Sequence, residues 1–462
     1  MSSSGTRPLR RVYIENLGCA KNQVDAEVML SRLLESGQWS SSDTADAADL
    51  IIVNTCGFIT DAREESLNTL FDLRSAYPGK RIIFAGCMAE HYGREIGEEL
   101  VEADGLFGNM DLSRITEIAD AVMEGSRAEL YPALEDETGG DEELSREYIT
   151  RRRLFSFPGS AYLKISEGCS HHCRYCAIPL IRGDLRSRPA ADVITDAADL
   201  ISSGVREINL IAQDLAAYGT DRGKLSGEAF LGLLERLTAL DGDFTLRMLY
   251  IHPDDFPADL PQFVRAHPKV LPYFDIPFQH AATPVLREMG RRGTADTYLR
   301  LLDDIRSTLP DAVIRSTFML AHPGERKSHI MQLREFLGSA SLDWAGFFIY
   351  SPEEHTSSYY RRRSDSHARA AGRVREALEE LKMLQEQITA QRLQRWVGRE
   401  LDVLVEEKIT GEDLLIGRTF AQAPEVDGST VVMSRAGEPG ELLRCGIRRV
   451  VGIDLEAVPV EQ

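Results

Sequence analysis

Ile165-Ser166-Glu167-Gly168-Cys169-Ser170-His171-His172-Cys173-Arg174-Tyr175-Cys176 decides how the chain is read, because three of its seven cysteines fall there at spacing C-x3-C-x2-C. The run just before it, Ala161-Tyr162-Leu163-Lys164-Ile165, alternates as a short strand does. The thiols are therefore expected on a loop at the C-terminal end of that strand, where α/β sheets place ligands. Thiolates are soft ligands that suit iron–sulfur clusters and zinc. Three of them in a tight loop can hold three irons of a four-iron cluster and leave the fourth open to a chelating substrate. The competing reading is a structural zinc knot, with His171 or His172 completing a Cys3His site. Structural zinc sites usually pair two separated C-x2-C knuckles, which weighs against it.

Outward from this loop, 462 residues predict two to four domains, and 43% hydrophobic with 27% charged residues is an ordinary globular composition. A net charge of −20 weighs against a broad nucleic-acid footprint and favours a basic partner. Met1 to Arg10 is polar and has no apolar core of a signal peptide, and no window is apolar enough to span a membrane. Seven cysteines, an odd number, suit a reducing cytoplasm better than a disulfide framework.

Residues 10–125 read as a parallel α/β domain. Val12-Tyr13-Ile14, Leu50–Val53 and Arg81–Ala85 are expected strands, followed by helices over 22–35, 60–76 and 89–101, the second capped by Thr60. Cys19, Cys56 and Cys87 each lie just past one of these strands. Parallel strands put such ends on one sheet edge, so the three thiols are expected to converge as a second metal site. Three unrelated buried thiols are the alternative.

Residues 126–154 form an acidic linker containing Glu135-Asp136-Glu137 and Asp141-Glu142-Glu143. From 155 to 390 a β/α unit repeats, with strands expected at Glu207–Ile211, Thr245–Tyr250, Tyr273–Ile276, Val313–Leu320 and Ala345–Tyr350 after the first. Six such strands predict an open, partial (β/α)6 barrel with its active site at the C-terminal rim. Gln213, Asp214, His252, Gln279, His280 and Pro323-Gly324-Glu325 lie just past strands, while Arg315 lies within one and can point inward. A charged helix is expected over 368–394. Residues 393–460 then read as a small antiparallel β-barrel with strands at Leu401–Val405, Asp413–Gly417, Thr430–Met433 and Val450–Leu455, around a structural Cys445.

With these residues in view, the C-x3-C-x2-C loop with Tyr175 before its last cysteine resembles the radical S-adenosylmethionine (SAM) superfamily. The whole chain resembles its methylthiotransferases, which join an N-terminal three-cysteine domain, a radical SAM barrel and a C-terminal TRAM barrel. Leu17-Gly18-Cys19-Ala20-Lys21-Asn22-Gln23-Val24-Asp25-Ala26-Glu27 and Gly417-Arg418-Thr419-Phe420-Ala421-Gln422-Ala423-Pro424-Glu425-Val426-Asp427-Gly428 are similar to the RimO-type branch, which modifies a ribosomal protein. The resemblance implies that Cys169, Cys173 and Cys176 are the catalytic thiols holding a 4Fe-4S cluster. It implies that Cys19, Cys56 and Cys87 hold a second 4Fe-4S cluster for sulfur delivery. SAM would be both radical source and methyl donor, lying by Tyr175, Gln213, Arg315 and Pro323-Gly324-Glu325. The implied substrate is one aspartate β-carbon of ribosomal small-subunit protein twelve, with electrons from an external donor. Two motifs depart from the family pattern. Ala321-His322-Pro323-Gly324-Glu325-Arg326 stands where Gly-Phe-Pro-Gly-Glu-Thr is usual, and Ser351-Pro352-Glu353-Glu354-His355-Thr356 where Ser-Pro-Glu-Glu-Gly-Thr is usual.

Two other functions compete. A tRNA (isopentenyladenosine-type) methylthiotransferase shares all six thiols but needs charge that neutralises phosphates. Residues 393–462 carry 13 acidic against 8 basic side chains, a net of −5. An acidic face at Glu406-Glu407 and Glu412-Asp413 is expected to repel RNA and suit a basic protein. A non-catalytic iron–sulfur or zinc scaffold needs no open iron and does not cleave SAM.

Overall fold

The computed structural model describes residues 9–131, 149–361 and 364–460, in two compact units. One unit comprises residues up to Phe155 together with Ala177–Asp184; the other comprises Ser156–Cys176 and everything from Leu185 onward. Both acidic runs of the expected linker lie outside the described residues.

In the first unit, strands β1 (Arg10–Asn16), β2 (Trp39–Ser41), β3 (Leu50–Thr55), β4 (Arg81–Gly86), β5 (Gly105–Phe107) and β6 (Ala128–Leu130) form a parallel sheet of order β2-β1-β3-β4-β5-β6. β3 is buried at every position, so its Leu-Ile-Ile-Val run is continuous, as for a parallel strand covered on both faces. The period of two still sorts its side chains. Ile52 packs with Met29 and Leu33 of α1 (Ala20–Glu35) and with Ile118 and Val122 of α4 (Ile115–Met123). Ile51 and Val53 face the other way, with Leu70 of α2 (Thr60–Ala76) and Met88 of α3 (Cys87–Ile96). A short helix from further along the chain, α5 (Ile178–Arg182), completes this unit, with Ile181 packed on Cys87.

Several local expectations are corrected here. Thr60 is the first residue of α2; Ile59 holds the cap position, with no side-chain cap. α3 runs from Cys87 to Ile96 instead of from Ala89 to Val101. β2, β5 and β6 were not expected: three residues each are too few to show an alternating pattern.

The second unit carries the parallel partial barrel. β7 (Ser160–Lys164) is followed by a two-stranded ribbon, β8 (Ser166–Glu167) and β9 (Arg186–Ser187). Then come β10 (Glu207–Ile211), β11 (Thr245–Leu249), β12 (Val270–Asp275), β13 (Val313–Leu320) and β14 (Trp344–Ile349), in the open order β14-β13-β12-β11-β10-β7. Helices α6 (Ala190–Ser202), α7 (Glu228–Thr238), α8 (Leu260–Ala266), α9 (Thr283–Glu288), α10 (Ala295–Thr308) and α11 (Lys327–Ala340) connect them. α12 (Ser364–Leu393) leads to a closed five-stranded barrel of β15 (Glu400–Lys408), β16 (Leu414–Arg418), β17 (Thr430–Met433), β18 (Leu442–Val451) and β19 (Asp454–Pro459). The strand expected over Val450–Leu455 is in fact the end of β18, a turn, and the start of β19. Gly452, at φ +64°, makes that turn. No helix among the described residues is long and apolar enough to cross a membrane.

The Gly417–Gly428 stretch is where this small barrel grips the larger one. Arg418 is buried; its Nη1 lies 2.7 Å from Glu207 Oε1, and its Nε pairs with Glu406. Arg247 closes the network on Glu207 Oε2 at 2.8 Å and donates to the Phe420 carbonyl, while Trp344 Nε1 donates to the Ala421 carbonyl at 2.7 Å. Burial opposes ionisation of Glu207, but the two guanidiniums outweigh it and hold its pKa down at about 2. Glu406 is thus committed to Arg418, and Asp413 pairs with Arg435. Of the expected acidic face, Glu406 is therefore buried, while Glu407, Glu412 and Asp413 stay exposed, the last beside Arg435.

Candidate functional site

In the second unit, the C-x3-C-x2-C loop leaves β7 and β8 at their C-terminal ends. Gly168 (φ +71°) and His172 (φ +50°) bend it in the left-handed region, which brings Cys169, Cys173 and Cys176 round as partly exposed thiols outside any disulfide. Cys173 and Cys176 pack against buried Tyr175, Ala282, Val285, Met289, Met319 and Tyr350. Arg291 donates to Tyr175 Oη at 3.0 Å and to the Pro277 carbonyl at 3.1 Å, fixing the aromatic ring that precedes the last cysteine. Burial pushes the Cys169 thiol up to about 11, and the neighbouring Cys173 adds to the shift. Bringing such thiols together as thiolates requires a compensating cation, which is what a bound metal supplies.

The rim around the loop is polar. Asp214, just past β10, accepts from the His252 backbone at 2.9 Å and lies 2.6 Å from His171 Nε2. The His171 and His252 rings stack at 4.2 Å, and His252 Nε2 is 4.0 Å from the Cys173 sulfur. Burial opposes protonation of His171, yet the carboxylates of Asp214 and Asp255 hold its pKa above the ordinary value. Burial, with Arg291 and His171 nearby, pushes His252 well below. His171 is thus engaged with carboxylates, and His172 is exposed on its own turn.

Gln213 donates to Glu167 Oε1 at 3.0 Å, while its own Oε1 is buried without a partner among the described residues. Ser166 Oγ and Gln279 Oε1 are buried and unpartnered as well. A buried polar atom left unpaired costs about 1–3 kcal/mol, so these atoms suit a site built for a polar ligand. Glu325 closes the Pro323-Gly324-Glu325 turn, with Oε1 at 3.1 Å from His280 Nε2 and Oε2 accepting from the Ala321 backbone at 2.6 Å. Ala321 has φ +63° and His355 φ +65°. Both departures from the family motifs thus put a side chain on left-handed backbone where glycine is usual. Arg315 meets two carboxylates: Asp275 at 3.2 Å and buried Asp427 at 3.4 Å. Burial raises Asp427 to about 6 against the pull of Arg315.

In the first unit, Cys19 follows β1, Cys56 follows β3 and Cys87 follows β4, and these strands are neighbours in the sheet. The spaces beside them are tight. A Cβ on Gly18 (φ +91°) would lie 2.8 Å from Cys56 Cβ, and one on Gly86 (φ +94°) 2.5 Å from Asn54 Oδ1. Only glycine lets the backbone pass there. Asn22, from the first turn of α1, reaches into the group: its Oδ1 is 3.3 Å from the Cys87 sulfur and 4.0 Å from the Cys19 sulfur. Burial pushes Cys87 up to about 12 and raises Cys56, with the neighbouring thiols adding to both shifts and Arg182 opposing them. Three mutually repelling, soft ligands around a glycine-walled space fit an iron–sulfur cluster.

Sequence reasoning passed over Arg291, Asn22 and Arg182 as site residues. Nothing in the spacing of Arg291 points to Tyr175. Arg182 had a signal, since it closes the Ile178-Pro179-Leu180-Ile181-Arg182-Gly183 run directly after the cysteine loop.

Three family models match the chain: Uncharacterized protein family UPF0004 over residues 11–108, the Radical SAM superfamily over 163–337, and the TRAM domain over 397–460. The protein named ribosomal protein uS12 methylthiotransferase RimO from Treponema denticola is 38% identical, covering 96% of this chain and 99% of its own. The proteins of the same name from Moorella thermoacetica and Prochlorococcus marinus are 39% and 41% identical, over 96% and 91% of this chain and 98% and 86% of theirs. Among solved structures, the radical SAM methyltransferase TsrM from Kitasatospora setae matches with a TM-score of 0.55 at 12% identity, over 76% of this chain and 74% of that one, a likeness of fold alone. With such identity sustained across all three parts, the chain belongs to the RimO-type methylthiotransferases of the radical SAM superfamily.

Proposed function

We propose that this protein attaches a methylthio group to the β-carbon of one aspartate of ribosomal protein uS12, in the cytoplasm, with electrons from an external donor. The observation that carries the reading is the presence of two separate three-thiol sets, one of them the C-x3-C-x2-C loop at a barrel rim. An unactivated C–H bond has no acidity for a general base to exploit, so a bound cofactor must carry the hard step. When bound, a 4Fe-4S cluster with an open iron supplies reductive cleavage of SAM to a 5′-deoxyadenosyl radical, and a second cluster supplies sulfur. Cys169, Cys173 and Cys176 would hold the first, and Cys19, Cys56 and Cys87 the second. Tyr175, fixed by Arg291, buttresses the first loop. Gln213, Arg315 and Pro323-Gly324-Glu325 would orient SAM, supported by the unpartnered Gln213 Oε1 and the turn closed by Glu325.

Mass spectrometry of ribosomal proteins from cells with and without the gene tests the function. A methylthio group on a uS12 aspartate should vanish on deletion and return on complementation. An unchanged uS12, with a methylthio group lost from tRNA nucleosides, would move the protein to the tRNA branch.

The SAM-lining residues carry their own expectation. Replacing Gln213 and Arg315 together with Ala should weaken SAM binding to the reconstituted enzyme at least about tenfold, or about 1.4 kcal/mol. Calorimetric titration reads this, with thermal melting as a control because Arg315→Ala strips Asp275 and Asp427 of a partner. An unchanged dissociation constant in a folded variant removes both residues from the site.

A further inference from the structure

Arg182 has no role in the proposed reaction, yet its guanidinium is buried against the sulfur of one of the N-terminal thiols, Cys87. It sits at the end of α5, only 3% exposed. One nitrogen, Nη2, lies 2.7 Å from Asn22 Oδ1, 2.9 Å from Asp25 Oδ2 and 3.1 Å from the Cys87 sulfur. The same sulfur has Asn109 Nδ2 at 3.4 Å. Asn22 is held for its part by donating to the Leu17 and Thr55 carbonyls at 3.1 and 2.8 Å. The stretch that carries the C-x3-C-x2-C loop thus also delivers, just beyond Cys176, a permanent positive charge to the other thiol set.

A buried Arg–Asp pair can be no more than an anchor for α5, and Asp25, also buried, would serve that purpose alone. The anchor does not explain why the same nitrogen reaches the sulfur of Cys87, nor why a second N–H donor, from Asn109, converges on it. Hydrogen bonds and positive charge at a cysteine sulfur stabilise its thiolate. In a cluster they favour the reduced state, which carries one more negative charge. We propose that Arg182 is a positioning residue for the N-terminal iron–sulfur cluster, compensating thiolate charge at Cys87 and raising the cluster's reduction potential, with Asp25 setting the opposite bias. This rests on the reading that Cys19, Cys56 and Cys87 bind that cluster.

The test uses the full chain with Cys169, Cys173 and Cys176 changed to Ala, so that only the N-terminal set can be loaded. The chain is reconstituted anaerobically and followed by iron analysis and an EPR-monitored redox titration. With Arg182 intact it should hold about four irons. If it holds none, the underlying reading fails before Arg182 is in question. Given a loaded cluster, Arg182→Gln should shift the potential to more negative values. Arg182→Lys, which keeps the charge but loses the planar fork, should recover most of the shift, and Asp25→Asn should move it the other way. A loaded Arg182→Gln cluster at the original potential overturns the proposal. If Arg182→Gln cannot hold iron, recovery of the iron by Arg182→Lys supports the charge role. Loss in both variants overturns it in favour of packing alone.

Discussion

Changing Cys169, Cys173 and Cys176 together to Ala is expected to abolish reductive SAM cleavage, with 5′-deoxyadenosine falling to the background of the uncatalysed reaction. The effect should be this large if, as proposed, these thiols hold the cluster that supplies the cleavage chemistry. Iron after anaerobic reconstitution should drop from about eight to about four per chain, the remainder belonging to the N-terminal set. The fold should survive. The loop is partly exposed, and Cys173 and Cys176 only edge the cluster of Tyr175, Ala282, Val285, Met289, Met319 and Tyr350, so losing a sulfur there costs on the order of 1 kcal/mol. Chromatography of 5′-deoxyadenosine with parallel iron analysis decides the matter. Continued SAM cleavage by the folded triple variant, or stoichiometric zinc in the native protein, would sink the assignment.

The second expectation separates the two thiol sets. With Cys19, Cys56 and Cys87 changed to Ala, SAM cleavage should persist while methylthiolated uS12 is lost altogether. The expectation follows from the proposed division of labour, in which cleavage needs an open iron at the barrel rim and sulfur transfer needs a second cluster on the N-terminal thiols. The first unit should keep its sheet, since the cores on both of its faces are built from β1, β3, β4 and their helices and use none of these sulfurs except as edge contacts. Peptide mass spectrometry of uS12 after single turnover reads the product. Full methylthio product from this variant would show that sulfur arrives by another route.

Much of this was legible in the residues because it is local or periodic. The C-x3-C-x2-C spacing confines three thiols to one loop whatever surrounds it. Continuous apolar runs such as Leu50–Val53 mark strands buried on both faces, and β13 spans the Val313–Leu320 of the sequence reading. Even the meeting of Cys19, Cys56 and Cys87 was within reach, because parallel strands put equivalent ends on one edge and β1, β3 and β4 are neighbours. Three-residue strands were not legible, nor was the turn at Gly452, since each is shorter than the pattern that would reveal it.

What chain periodicity and spacing determine about this protein is therefore its longer elements and the two sets of thiols placed to act as soft ligands. Which charges compensate which is another matter, because a side chain's partner depends on packing between residues far apart in the chain. Glu406 reads as part of an exposed acidic face, and the structure buries it against Arg418 and, through Arg418, links it to Glu207. Asn22 reads as a polar residue on a helix, and it stands between two thiols. Arg182 reads as the basic end of a short helix. Only the tertiary fold carries it onto the sulfur of Cys87, because desolvated charges must be paired where the fold leaves them.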